Sequence, residues 1–158
     1  MIGTDTTPVW HTWEPTGQII VDANIPVIAM GTGGLEFLGK LELEIGTRDR
    51  VQNTSDSVRP VKNAGFWKDF PVPATASGVH PVVAESSYAG VALPNPTDNV
   101  IPIGHDPDNE NLYTLVAQKP HYFLWGYPGE LDELTETGKA LLAWSCRYTA
   151  AMNRKVSE

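Results

Sequence analysis

Glycine and proline punctuate this chain from end to end, 14 of one and 13 of the other among 158 residues. Glycine weakens helix and strand interiors, and proline removes a backbone donor, so so many breaks cut the chain into short pieces. Short pieces favour strands. The clearest is Leu35 to Ile45, where Leu35, Phe37, Leu41, Leu43 and Ile45 fall on one parity and Glu36, Lys40, Glu42 and Glu44 on the other. That is the period-2 pattern of a strand with one wet face.

The rest of the chain reads in the same way. Gln18 to Met30 holds two β-branched runs broken by Asp22-Ala23-Asn24 and Pro26, and Gly31-Thr32-Gly33-Gly34 reads as a turn or bulge. A phosphate-binding loop would open a helix, whereas a strand is expected next, so this glycine run is not taken as one. Phe66 to Phe70 reads as a short aromatic strand, and Val79 to Ala92 as one or two strands. Leu112 to Ala117 and His121 to Tyr127 complete the set by their β-branched and aromatic content. Residues 46–64 and 93–110 are expected to be long loops, the first with an alternative as two weak edge strands, the second carrying a short apolar insert at Val100 to Ile103.

The C-terminal segment fits two periods. Ala140, Leu142, Trp144, Cys146 and Tyr148 alternate as in a strand, while Leu134, Leu141, Trp144, Tyr148 and Ala151 recur at helical spacing. Gly138 would interrupt a helix starting near Leu131, which favours a strand over 139–150, with a short helix at Glu130 to Glu136 as the one helical candidate. The expectation is one all-β domain over 1–158, a β-sandwich of jelly-roll type with at most one short helix and an N-terminal arm over 1–17 carrying Trp10 and Trp13.

Charge narrows the function. The net charge is −8, from 11 Lys and Arg against 19 Asp and Glu, which argues against coating nucleic acid phosphates. The acidity is local: residues 98–136 carry eight acids and one base, and residues 137–158 one acid and four bases. No apolar run is long enough to span a bilayer, and Met1 to Asp5 lacks the start of a secretion signal. The sequon Asn53-Thr54-Ser55 therefore carries little weight. Cys146 is the only cysteine, which excludes an internal disulfide and a CxxC metal site.

Residues 120–155, reading PHYFLWGYPGELDELTETGKALLAWSCRYTAAMNRK, resemble the closing strands of the jelly-roll shell domain of small icosahedral RNA-virus coat proteins of the sobemovirus and tombusvirus-like groups. The resemblance lies in the apolar strand Tyr122 to Trp125, the polar loop Gly129 to Thr137, and the alternation from Gly138-Lys139 through Trp144 to Arg147-Tyr148. It implies a structural subunit of a virion that acts by self-assembly with copies of itself or other particle subunits, formed in the host cytoplasm. The chain departs from those coat proteins in having no Lys or Arg before Lys40, so little direct nucleic acid contact is expected.

Chemistry-bearing residues are few. Asp106, Asp108 and Glu110 in the loop GHDPDNE supply the hard oxygens that Ca²⁺ takes, and the resemblance adds that such coat proteins often hold Ca²⁺ between subunits. The spacing is not that of an EF-hand, and such Asp/Pro/Asn strings also make plain turns. His11, His80, His105 and His121 lack the spacing of a zinc site, and no Walker, Rossmann or GxSxG pattern is present. Two further readings stay open: a β-sandwich binding module for carbohydrate or protein, as in a phage tail or decoration protein, and a metal-dependent enzyme on a β-barrel.

Overall fold

The computed structural model describes residues 1–2, 15–46, 52–53, 55–85 and 88–154. Trp10, His11, Trp13, Thr54, Arg48, Arg50 and Lys155 lie outside them, and with them most of the expected arm and part of the sequon. Among the described residues nine short strands and three helices follow in the order α1 (Pro15–Asp22), β1 (Val27–Met30), α2 (Gly31–Lys40), β2 (Gln52–Asn53), β3 (Ser57–Pro60), a 3₁₀ turn (Gly65–Trp67), β4 (His80–Pro81), β5 (Tyr88–Ala89), β6 (Val91–Ala92), β7 (Val100–His105), β8 (Leu112–Gln118), β9 (Tyr122–Trp125) and α3 (Glu136–Arg154). The β-rich expectation holds: seven strands form one mixed sheet in the order β1-β9-β8-β7-β3-β4, with β6 added to β8, and β2 pairs with β5 separately.

β1 and β9 run parallel, in the register Val27 with Tyr122 through Met30 with Trp125, and Ile2 makes a parallel bridge to Ala29 on the other side of β1. The central strands are apolar at nearly every position because both faces of the sheet are covered. Along β9, Tyr122 and Leu124 face one core and Phe123 and Trp125 the other. Leu35, Phe37 and Leu38 of α2 fill the first core, while Leu141 and Leu142 of α3, with Phe66 of the 3₁₀ turn, fill the second. Helices, rather than a second sheet, thus close the two faces.

Several local expectations are corrected. The strand expected at Leu35 to Ile45 is the helix α2, followed by turns from Leu41 to Ile45. Its sheet-facing side includes Gly31 and Gly34, which carry no apolar side chain and so conceal the helical period. A Cβ added at Gly34 would stand 2.3 Å from the Ala29 carbonyl carbon, so the helix lies directly on the β1 backbone. The strand expected at 139–150 is part of the 19-residue helix α3, which also overturns the limit of one short helix. Gly138 does not interrupt that helix. It sits in the first turn, where an added Cβ would lie 2.1 Å from the Val82 carbonyl oxygen. Phe66 to Phe70 forms the 3₁₀ turn and bends that follow, and the loop expected at 93–110 contains β7. The loop expected at 46–64 carries β2 and β3, and β3 is not an edge strand, since it pairs with β7 on one side and β4 on the other.

Candidate functional site

Two parallel neighbours whose following helices go to opposite faces leave a crevice beyond their carboxyl ends. β1 and β9 meet that condition, because β1 feeds α2 over one face and β9 leads to α3 over the other. Beyond Met30 the chain reverses through Gly31 at φ 56° and enters α2 at once, so the glycine run does open a helix, contrary to expectation. A sharp strand-to-helix turn of this kind presents a catalytic Ser in α/β-hydrolases. Here the apex residue is Gly31, whose left-handed backbone suits glycine, and no side chain projects from it.

The connection from β9 to α3 forms the other side of this end of the sheet. Trp125 Nε1 donates to Pro128 O at 3.1 Å, and a Cβ at Gly129 would lie 3.2 Å from the Met30 sulfur, so the loop folds back over the end of β1. Thr135 ends the loop by capping α3. Its hydroxyl oxygen accepts the Gly138 N–H at 2.9 Å and its O–H donates to Pro81 O at 2.7 Å. Val83 and Leu134 form a bridge, and the Ala84 N–H donates to Glu133 O at 3.1 Å, so the segment after β4 runs beside the loop.

Between the two lies an open cleft of about 360 Å³, lined among the described residues by Ala84, Glu85, Pro128, Asp132 and Glu133. The side chains of Glu85, Asp132 and Glu133 are exposed, and Leu131, which precedes Asp132 in the chain, is 61% exposed. Three carboxylates around a cleft make it attractive to a cation, and the adjoining Leu131 offers an apolar contact. Below it, Tyr127 is fully buried. Its hydroxyl donates to Ser57 O at 3.0 Å and accepts from Thr114 at 3.2 Å, and burial pushes its ionisation far above the ordinary range. It is a fixed support.

Asp106, Asp108 and Glu110 occupy the β7–β8 connection, away from this cleft. Asp106 is fully buried, with Oδ1 accepting the Asp108 N–H at 2.8 Å and its own N–H donating to Leu112 O at 2.8 Å, while Asp108 and Glu110 are exposed. The buried carboxylate thus organises an Asx turn. Among the described residues no group of three or more His, Cys, Asp or Glu side chains is placed to hold a metal ion. His105 points Nδ1 at Asp106 O, 2.8 Å away, and His80 and His121 are buried. Cys146 is half-buried on α3, and burial raises its thiol.

No sequence pattern connects Asp132 and Glu133 with Glu85. The signal that could have placed them is Thr135-Glu136, a capping residue followed by an acid in the first turn, which fixes the start of α3 and hence the loop before it. Neither a protein-family model nor a curated protein matches the chain. No helix among the described residues is long and apolar enough to cross a membrane.

Proposed function

We propose that this chain is a binding domain that docks a basic segment of a protein partner in the cleft beside the carboxyl ends of β1 and β9. The observation that carries the reading is the cleft itself, with Glu85, Asp132 and Glu133 around about 360 Å³. Its openness suits an extended chain better than an enclosed small molecule, and Leu131 suits a partner with an apolar side chain beside its Lys or Arg. Gly31, at the apex of the strand-to-helix turn, leaves backbone where a catalytic turn would offer a nucleophile.

Fluorescence anisotropy with a labelled Lys- and Arg-rich peptide tests this. Binding is expected at low salt, weakening as salt rises, and at least about tenfold weaker in Asp132→Lys/Glu133→Lys, since two reversed charges remove on the order of 1.4 kcal/mol or more. Equal affinity of the wild type for a basic and an acidic peptide would sink the proposal.

A second reading keeps the virion subunit that assembles in a host cytoplasm. It is favoured by the charge arrangement: the eight acids and one base of residues 98–136 are the complement of the one acid and four bases of residues 137–158, so one copy carries the basic segment that another would receive. This reading does without jelly-roll closure, since helices cover both faces of the sheet. Ca²⁺ belongs to it as a proposal, with Asp108 and Glu110 exposed at the β7–β8 connection and further oxygens coming from a neighbouring copy. Sedimentation with and without Ca²⁺ should give closed particles or symmetric oligomers; a monomer at high concentration in both would end it.

A further inference from the structure

The corner where β4, the 3₁₀ turn and α3 meet holds a titratable ring that the cleft does not use. His80 is 3% exposed. Its ring stacks on Trp67 at 4.9 Å, with 6° between the planes, and meets the edge of Phe70 at 5.3 Å. Phe70 in turn approaches Trp144 at 6.3 Å, and Phe66 packs on Trp144 and Tyr148 at 6.5 and 5.1 Å, so an aromatic layer runs from β4 to α3. Two indole N–H groups pin this layer, Trp67 donating to Ile103 O at 2.8 Å and Trp144 to Phe66 O at 2.9 Å.

Within it, His80 Nδ1 is buried and has no hydrogen-bond partner. A neutral imidazole tolerates that position, because the unpaired atom is a lone pair. An imidazolium does not, because Nδ1 becomes a charged donor with nothing to receive it. Attraction between the charged ring and the face of Trp67 returns part of that cost. The balance favours the neutral ring, since burial holds the pKa of His80 below its ordinary value of 6.5.

Among the described residues, the charged and titratable groups on the surrounding elements are engaged or exposed: Asp56, before β3, is exposed and its Oδ1 accepts the Ser57 hydroxyl at 2.6 Å. Arg59 of β3 is drawn to Ser77 O at 3.1 Å, and Lys62, Lys68 and Asp69 around the 3₁₀ turn are exposed. On α3, Glu136 and Lys139 pair with each other at 2.7 Å, Arg147 is exposed, and burial raises the pKa values of Cys146 and Tyr148, keeping both neutral.

β4 continues into the wall of the cleft. Val82 and Val83 both donate their N–H groups to Asp56 O, at 2.8 and 3.1 Å, Val82 O accepts the Thr135 N–H at 3.0 Å, and Ala84 follows against Glu133. One strap therefore runs from His80 to Ala84 and Glu85. We propose that His80 is a pH-operated latch on this strap: taking up a proton frees β4 from the aromatic layer and displaces the Ala84–Glu85 wall, so that acid weakens docking in the cleft. The docking part rests on the function proposed above, and the latch itself does not.

The direction follows from linkage. The unfolded chain takes up the proton near pH 6.5 and the folded one only at lower pH, so stability falls as pH drops through 6.5 and levels off below the folded value. His121, also buried and with both ring nitrogens unpartnered, adds a slope of the same sign, so stability alone does not separate the two. Tryptophan emission does, because a protonated His80 leaves its stack on Trp67 and opens that indole to water.

The decisive measurement is emission between pH 8 and 5, together with an NMR titration of the His80 ring. Emission is expected to shift to the red with the ring's titration, to lose that step in His80→Phe, and to keep it in His121→Phe. A His80 midpoint at or above 6.5, or an unchanged emission step in His80→Phe, overturns the latch. If His80→Phe does not fold, the wild-type titration still decides. A Lys-rich peptide should bind several-fold more weakly at pH 5 than at pH 7.5 in the wild type only. Binding that does not change with pH overturns the link to the cleft, and no binding at any pH overturns the docking proposal while emission still decides the latch.

Discussion

The two faces of the sheet are covered by helices attached in opposite ways. α2 lies on β1 through glycine, backbone against backbone, with Leu35, Phe37 and Leu38 wholly buried. Past its first turn, where Gly138 lies against the Val82 backbone, α3 stands off on a layer of side chains, with Leu141 and Leu142 buried and Trp144, Cys146, Tyr148 and Met152 partly so. It even buries Ser145 and Thr149, because each hydroxyl donates to the carbonyl four residues back, at 2.9 and 2.7 Å. A contact made of backbone has no rotamers with which to adjust, while a layer of side chains can repack. It is on the second face that a titratable ring finds room.

The strongest way to break this contrast is at Gly34. Gly34→Ala puts a methyl group 2.3 Å from the Ala29 carbonyl carbon, and neither backbone can withdraw without moving the whole helix. The expected loss is about 4 kcal/mol or more, read by urea unfolding, which is the exceptional range for one substitution. A loss below about 1 kcal/mol would show that α2 can lift from β1 and that the two faces are not different in kind.

Leu141→Ala probes the other face. Its side chain is fully buried, so truncation removes apolar contacts and leaves a cavity, for about 2–5 kcal/mol where the surroundings do not relax. A side-chain layer that repacks should bring the value to the low end, near about 2–3 kcal/mol and below that of Gly34→Ala. The same urea series measures both, and a reversed order would invert the comparison.

The sheet was the legible part of the fold. Leu112 to Ala117 and His121 to Tyr127 were readable as strands because central strands covered on both sides are continuous runs of β-branched and aromatic residues. α2 was not readable, because its contact surface is partly glycine and the remaining leucines and glutamates happen to alternate. α3 was half readable: the helical spacing of Leu141, Trp144 and Tyr148 was visible, but Gly138 looked like a breaker until Val82 was known to lie against it. The pairing of β1 with β9 joins residues nearly a hundred apart, and no local pattern encodes it. The cleft was hidden for the same reason, since Glu85 meets Asp132 and Glu133 only through the pairing of residues 83–84 with 133–134. Asp106 shows a role that its sequence does not announce, since its buried carboxylate accepts the Asp108 N–H and shapes its own turn.

The smallest expected effect belongs to the face of α2 and asks whether polar side chains contribute anything there beside its buried leucines and Phe37. Glu44, in the turn after α2, accepts both the hydroxyl and the backbone N–H of Thr97, the latter at 3.1 Å, which ties that turn to the chain entering β7. The Thr97 hydroxyl, then its N–H, hold the Glu44 carboxyl below its ordinary 4.5. A depressed carboxylate contributes stability that is complete above the unfolded value and is lost as pH falls through the folded one, so this contribution is present at neutral pH and disappears below about pH 4.5. Thr97→Val removes the stronger donor and keeps the N–H, so the NMR titration of Glu44 should move up towards 4.5 while the melting temperature at pH 7 scarcely changes, as befits an exposed pair. A clear fall in melting temperature at pH 7 would mean that the α2 face is held by its side chains as well as by its glycines, and the contrast with α3 would become one of degree.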